Sequence, residues 1–189
     1  MPASDIRGYT HPGMLNGKRI SVVIRADENL IYSVEIKRKY SASDVSPDCR
    51  NQASVDAASF FDAFFSRRID TVPVSVLYDR GCLEVKYNYG GITLRLDMSG
   101  RTLKQIKVYS TLLMIPYGET ISYSALALKA GYPRAARFAG SLMASNRFPV
   151  IVPCHRVVRS DGSIGEYSGG AGMKEDLLIH EASEKRIYT

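Results

Sequence analysis

The sequence predicts an α+β chain of two domains, a mixed α/β N-terminal domain and a mainly helical C-terminal one. Three observations carry this expectation. Short β-rich runs and one amphipathic helix fill the first half. Apolar residues recur at helical spacing in the second. Ser99-Gly100 separates the two patterns. The expected domains are residues 1–98 and 102–189, and 189 residues suffice to bury a core without a disulfide or metal staple.

In the first half, Ile20–Arg25 and Leu30–Lys37 read as strands separated by the turn-like Asp27-Glu28-Asn29. Val55–Arg67 reads as a helix with Ala57, Phe60, Phe61, Phe64 and Phe65 on one side and Ser54 as N-cap. Cys82–Tyr89 and Ile92–Asp97 flank Gly90-Gly91 as a hairpin. His11 falls in a stretch expected to be flexible. No catalytic constellation stands out here, and the phenylalanines read as core.

Beyond the boundary, Leu103–Leu113 is a helix that ends at the turn Pro116-Tyr117-Gly118. Ser122–Ala130 is a second helix, closed by Gly131. Pro133 is expected to open a third, since a first-turn residue needs no N–H. Helix, short turn and helix make a helix-turn-helix pattern, which many merely packed helix pairs share. At about 100° per residue, Arg134, Gly140, Ser141 and Ala144 fall within about 60° of Arg137 on that third helix. Ala135, Phe138, Ala139 and Leu142 fall on the other side. A face of small residues around one arginine lets a backbone approach something closely, either another helix or the minor groove of DNA.

The formal net charge of +6 is concentrated. Residues 1–100 hold 13 Lys and Arg against 12 Asp and Glu, whereas residues 101–189 hold 12 against 7. From Thr120 to Ser160 there is no carboxylate, while Lys129, Arg134, Arg137, Arg147, Arg156 and Arg159 all lie there. Such a stretch is either a solvated face or a phosphate-facing one. No apolar run reaches the roughly 18 residues of a membrane span, and the first residues lack the apolar core of a secretion signal. Three cysteines, at 49, 82 and 154, form no CxxC pair, which points to a reducing, intracellular compartment.

Phe148 to Val158 is an apolar run that delivers Pro153-Cys154-His155-Arg156. A thiol flanked by potential positive charge is a candidate nucleophile; a free cysteine is otherwise a small buried hydrophobe, the reading preferred for Cys49 and Cys82. His155 is the natural base for Cys154. On the last helix, Gly172–Ser183, Glu181 falls with Met173, Leu177 and Leu178, and His180 falls towards the edge. A carboxylate on a buried face needs a partner, which makes Glu181 the candidate to orient His155; a helix-end Glu reaching solvent is the alternative. The Gly-rich loop from Asp161 to Gly170 either lines a pocket or covers the surface.

Val152 to Val158 (Val-Pro-Cys-His-Arg-Val-Val) resembles the active-site motif of the O6-alkylguanine-DNA alkyltransferases, the methylated-DNA–protein-cysteine methyltransferases. Pro116-Tyr117-Gly118-Glu119, Ser122-Tyr123, Arg134 to Arg137, Asn146, Tyr167-Ser168-Gly169-Gly170, and Lys174-Glu175 through His180-Glu181 share the family's spacings. The resemblance covers about residues 102–183. It implies a ribonuclease-H-like fold for the N-terminal domain and a DNA-binding helix-turn-helix in the C-terminal one.

It also implies roles. Cys154 accepts the alkyl group, His155 takes its proton through a water, and Glu181 orients His155. Arg137 is the arginine finger that fills the gap left by a flipped nucleotide. Arg134, Ser141 and Ala144 lie on the DNA-binding face. Tyr123 crowds the 3′ phosphate and protonates the departing base, and Asn146 braces the turn before the reactive strand. The carbonyls of Cys154 and Val157 accept from the base's exocyclic amine. Tyr167, Ser168 and Gly169 belong to the loop that closes on the base, and Pro149 lines the alkyl pocket. The expected activity is one irreversible transfer per molecule from O6-alkylguanine, with O4-alkylthymine as a further candidate. The expected protein is a monomer that works on double-stranded DNA in the cytoplasm, or in the nucleus of a eukaryote, with no cofactor, no metal and no membrane. Cys49, Cys82 and His11 have no zinc-ligand spacing.

Two departures stand out from the family pattern. A recognition-helix position that can hold arginine is Ala144 here, with Arg147 just beyond. The structural zinc of human-like members has no ligands here. Two other functions compete. A sensor that marks alkylated DNA without repairing it would lack the cysteine, and a Cys-His-Glu hydrolase would turn over repeatedly.

Overall fold

The computed structural model describes residues 7–38, 51–68, 72–165, 167, 170 and 172–182. The chain divides into two compact units, one up to Gly100 and one from Arg101.

In the first unit a six-stranded sheet has the order β1-β2-β3-β6-β5-β4. Its strands are β1 (Arg7–Leu15), β2 (Lys18–Ala26), β3 (Ile31–Lys37), β4 (Ser75–Asp79), β5 (Cys82–Lys86) and β6 (Thr93–Asp97). Every neighbouring pair is antiparallel except β3 with β6, which run parallel. The period-two pattern buries Ile20, Val22 and Ile24 on β2, Leu83 and Val85 on β5, and Leu94 and Leu96 on β6. Helix α1 (Gln52–Phe65) covers these residues with Phe60, Phe61 and Phe64, all buried. Each such phenylalanine contributes about 1.5–3 kcal/mol by leaving water.

Three expectations for this half are corrected. His11 is not in a flexible stretch: it lies on β1, buried, with Nε2 3.1 Å from the Asp62 carboxylate of α1. Strand pairing is a non-local contact, and Pro12 and Gly13 disguise the strand. The N-cap of α1 is Asn51, whose Oδ1 accepts from Ser54 N at 2.8 Å, so Ser54 lies inside the first turn. β4 also went unread; it forms a hairpin with β5 across Arg80-Gly81, both at positive φ.

The second unit contains α2 (Leu103–Leu113), β7 (Ile121–Ser122), α3 (Tyr123–Lys129), α4 (Ala136–Ala144), β8 (Val157–Val158) and α5 (Met173–Ala182). A capping box opens α2: Thr102 Oγ1 accepts from Gln105 N while Gln105 Oε1 accepts from Thr102 N. Ser122 caps α3 by accepting from Ala125 N. Gly131, at φ 87°, closes it. The following helix starts later than expected, at Ala136. Pro133 and Arg134 form a turn, because Arg134 takes φ 64°, outside any right-handed helix. Arg134 therefore precedes the helix whose face it was expected to share with Arg137.

The segment after α4 is not a strand. Val150 has φ 72°, and Val152 N donates to Phe148 O at 2.8 Å. Cys154–Arg156 forms one 3-10 turn, Pro149 and Val152 make only an isolated bridge, and Val157–Val158 forms the short strand that pairs in parallel with β7. No described helix is long and apolar enough to cross a membrane.

Candidate active site

The nucleophile candidate sits on that 3-10 turn. Cys154 is buried, and Asn146 at the end of α4 reaches it, with Nδ2 3.0 Å from Sγ. The same amide donates to Val152 O at 2.9 Å and accepts from Phe148 N at 3.0 Å. Asn146 thus closes the loop and touches the sulfur directly, more than a brace. Burial pushes the Cys154 thiol up; the Asn146 N–H, the Lys174 ammonium and the Tyr167 hydroxyl pull against it by stabilising the thiolate.

Adjacent residues on a 3-10 turn point in different directions, so His155 and Arg156 face the interior with Glu181. His155 Nε2 lies 2.8 Å from Glu181 Oε1, with both side chains fully buried. Arg156, 1 % exposed, donates from Nε to Glu181 Oε2 at 3.0 Å, from Nη2 to Oε1 at 2.9 Å, and from Nη1 to Ile115 O at 2.7 Å. Gly118 N adds a fourth donor to this carboxylate, at 3.0 Å from Oε2. Burial works to raise Glu181, but the His155 ring and the Arg156 guanidinium outweigh it and hold the carboxyl at about 2. Burial lowers His155 despite its carboxylate partner, so the ring is neutral near pH 7. An ionised Glu181 accepts from Nε2–H, which leaves Nδ1 as the basic nitrogen.

A cavity of about 370 Å³ opens over the sulfur, lined by Tyr123, Gly140, Met143, Ala144, Cys154, Arg159, Gly165 and Tyr167. A Cβ on Gly165 would come 3.0 Å from the Tyr123 hydroxyl oxygen, so glycine there lets the Asp161–Gly165 loop close against Tyr123. Lys174 is buried at the start of α5; its Nζ donates to Val157 O at 2.5 Å and lies 5.8 Å from the Tyr123 ring centroid.

The expected residues therefore divide. Cys154, Asn146, His155 and Glu181 come together, and Tyr123, Ala144 and Tyr167 line the cavity above them. Arg137 and Ser141 are exposed on α4, and Arg134 is exposed in the preceding turn. Pro149 and Val157 are buried and do not line the cavity. One lone pair of Val157 O is already taken by Lys174, leaving a single acceptor position on that carbonyl. Ser168 and Gly169 lie outside the described residues. His180 is buried with its ring edge-on to Tyr117, not at the edge of the helix. Arg156 and Lys174 were passed over as site residues. The signal for Arg156 was its place beside His155 in the motif, since an ionised, buried glutamate next to a neutral imidazole still needs a cation.

Parts of the chain are similar to known proteins. Residues 104–183 match the family described as 6-O-methylguanine DNA methyltransferase, DNA binding domain. A methylated-DNA–protein-cysteine methyltransferase of Mus musculus is 55 % identical over 75 residues, 39 % of this chain and 36 % of that protein. One from Methanothermobacter thermautotrophicus is 48 % identical over 87 residues, 46 % of this chain and 48 % of the relative. These matches span about a third to a half of the relatives' lengths. A crystal structure of Mycobacterium tuberculosis OGT in complex with DNA superimposes with a TM-score of 0.63 at 29 % identity, covering 86 % of this chain and 87 % of that one. Through residues 104–183 the chain is similar to the DNA-binding domain of the 6-O-methylguanine DNA methyltransferases and to the methylated-DNA–protein-cysteine methyltransferases.

Proposed function

We propose that the protein repairs DNA by direct reversal, moving the alkyl group of an O6-alkylguanine to Cys154 in one irreversible step. The observation that carries this is the buried Cys154 sulfur, 3.0 Å from Asn146 Nδ2, at the floor of a cavity large enough for a base edge. His155 Nδ1 takes the thiol proton through a water, and ionised Glu181 stabilises the imidazolium. The Sγ–carbon bond forms as the carbon–O6 bond breaks, and the electron pair leaves with guanine. Tyr123 supplies a proton to the departing base. The thioether has no nearby group that would cleave it, so each chain reacts once.

In this reading α3 and α4 form a helix-turn-helix domain within residues 102–189, and residues 1–98 form the ribonuclease-H-like domain. The small-residue face of α4, with Ser141 and Ala144 exposed and Gly140 half-buried, fits the minor groove. Arg137 enters the stack as the nucleotide flips, and Arg134 meets phosphate. The partner is double-stranded DNA carrying O6-alkylguanine, with O4-alkylthymine as a second substrate. The protein acts as a monomer without a cofactor, in the cytoplasm or a eukaryotic nucleus.

Incubation with duplex DNA labelled in an O6-methyl group tests this. One label per chain should move to the Cys154 peptide and then stop. Label that stays on DNA, label on Cys154→Ser protein, or repeated turnover overturns the reading.

A further inference from the structure

Helix α4 ends without the glycine that commonly closes a helix. Ser145 caps it, and Asn146 follows at the position a left-handed residue would take, yet Asn146 has no positive φ. The carbonyls of the last turn therefore need donors from elsewhere. Arg101, half-buried just before α2, supplies them. Its Nη2 donates to Ser145 O at 2.7 Å, and its Nη1 donates to Ser145 Oγ at 3.2 Å. Ser145 Oγ in turn donates to Leu142 O at 3.1 Å, and the same carbonyl accepts from the Tyr109 hydroxyl at 3.3 Å. The Arg101 guanidinium lies 5.8 Å from the centroid of that buried tyrosine ring. A cation here also suits the negative pole of α4.

Ser145 O belongs to the peptide group that ends at Asn146 N. Arg101 holds one edge of that peptide plane. Met143 O, which accepts from Asn146 N at 3.2 Å, holds the other. From this plane the Asn146 side chain reaches Val152 O, Phe148 N and Cys154 Sγ. A hydrogen bond weakens steeply when it is misaligned, so a shift of the plane is felt at the sulfur. We propose that Arg101 is a positioning residue of the reactive centre: it holds the Ser145–Asn146 peptide so that the Asn146 amide meets Cys154 Sγ. Its effect on repair rests on the alkyl-transfer reading; its effect on the thiol does not.

The test measures alkylation of the Cys154 peptide by iodoacetamide as a function of pH. Arg101→Met should slow the reaction at neutral pH about two- to fivefold and move its pH profile upward, as the thiolate loses part of its donor. In Asn146→Ala protein the same substitution should add no further shift. Lys104 provides the control. It packs near the start of α4, its Nζ 4.3 Å from the Phe138 ring centroid and 4.9 Å from that of Tyr132. Lys104→Met should leave the profile in place. A native profile in Arg101→Met overturns the proposal. So does an equal shift in the Asn146→Ala background, which would make Arg101 a direct charge on the thiol. An equal shift from Lys104→Met overturns it too, since any loosening of α4 would then suffice. Failure of the native protein to take methyl from O6-methylguanine in duplex DNA would instead overturn the alkyl-transfer reading and leave the thiol result standing.

Discussion

Asn146 Nδ2 lies 3.0 Å from Cys154 Sγ, and both residues are buried. The same side chain ties Val152 O and Phe148 N, so one amide sets both the shape of the loop and the charge state of the sulfur. A hydrogen bond to a charged group contributes about 1.5–3 kcal/mol. Asn146→Ala should therefore slow alkylation of Cys154 by iodoacetamide at neutral pH roughly ten- to a hundredfold. It should also move the pH dependence of that reaction upward, since the thiolate loses a donor. A rate–pH profile that superimposes on the native one would show that the contact does not stabilise the thiolate.

The Glu181 cluster gives the fold an acid limit. Glu181 is held at about 2 against an ordinary value of 4.5, so it contributes stability that is complete above pH 4.5 and lost as pH falls towards 2. His155 is also lowered, from 6.5, because burial disfavours the imidazolium. Its contribution is complete above pH 6.5 and declines below it, as the unfolded ring takes up a proton first. Urea midpoints should thus fall in two stages as pH drops from 7 to 2. Glu181→Gln should flatten the lower stage. It should also cost about 3–5 kcal/mol at neutral pH, because Arg156 is left buried beside a neutral partner. Parallel stability curves for native and variant protein would contradict this.

On the proposed reading, Arg137 handles DNA and takes no part in the thiol chemistry. It is exposed on α4 and absent from the cavity lining, whereas Cys154 lies beneath that cavity. Arg137→Ala should slow repair of O6-methylguanine in duplex DNA by at least tenfold, since nothing then occupies the gap in the stack. Its reaction with free O6-benzylguanine, which needs no flipping, should stay within about twofold. Equal losses on both substrates would remove Arg137 from the flipping step.

What could be read from sequence follows physical locality. The Cys154–His155 pair is adjacent in the chain, and α2 is set by its own caps and stripe; both were legible. Glu181 was found because a single helix carries it among apolar neighbours. Lys174 and His180 share that helix and are buried too, but polar burial depends on partners elsewhere: Val157 O for Lys174 and the Tyr117 ring for His180. Periodicity cannot supply such partners. β1 was missed for the same reason, since its register with β2 is what makes His11 a buried strand residue. The delayed start of α4 rests on one backbone angle, the positive φ of Arg134, which no residue-type rule anticipates for arginine.

Val150 tests whether the loop before the nucleophile is strained. It is β-branched, 2 % exposed and at φ 72°, inside the turn closed by Val152 N and Phe148 O. A non-glycine residue in this region costs about 1–2 kcal/mol. Val150→Ala removes buried methyl groups and keeps that strain. Val150→Gly removes slightly more apolar surface but releases the strain. The usual order should therefore invert: the glycine variant should be more stable than the alanine variant by up to about 1 kcal/mol. At Val152, two residues on and without a positive φ, glycine should be the less stable by about 0.5–1 kcal/mol. Denaturant midpoints of the four variants decide it. If alanine exceeds glycine at both positions, Val150 is not strained, and the approach of Asn146 to Cys154 does not depend on a forced turn.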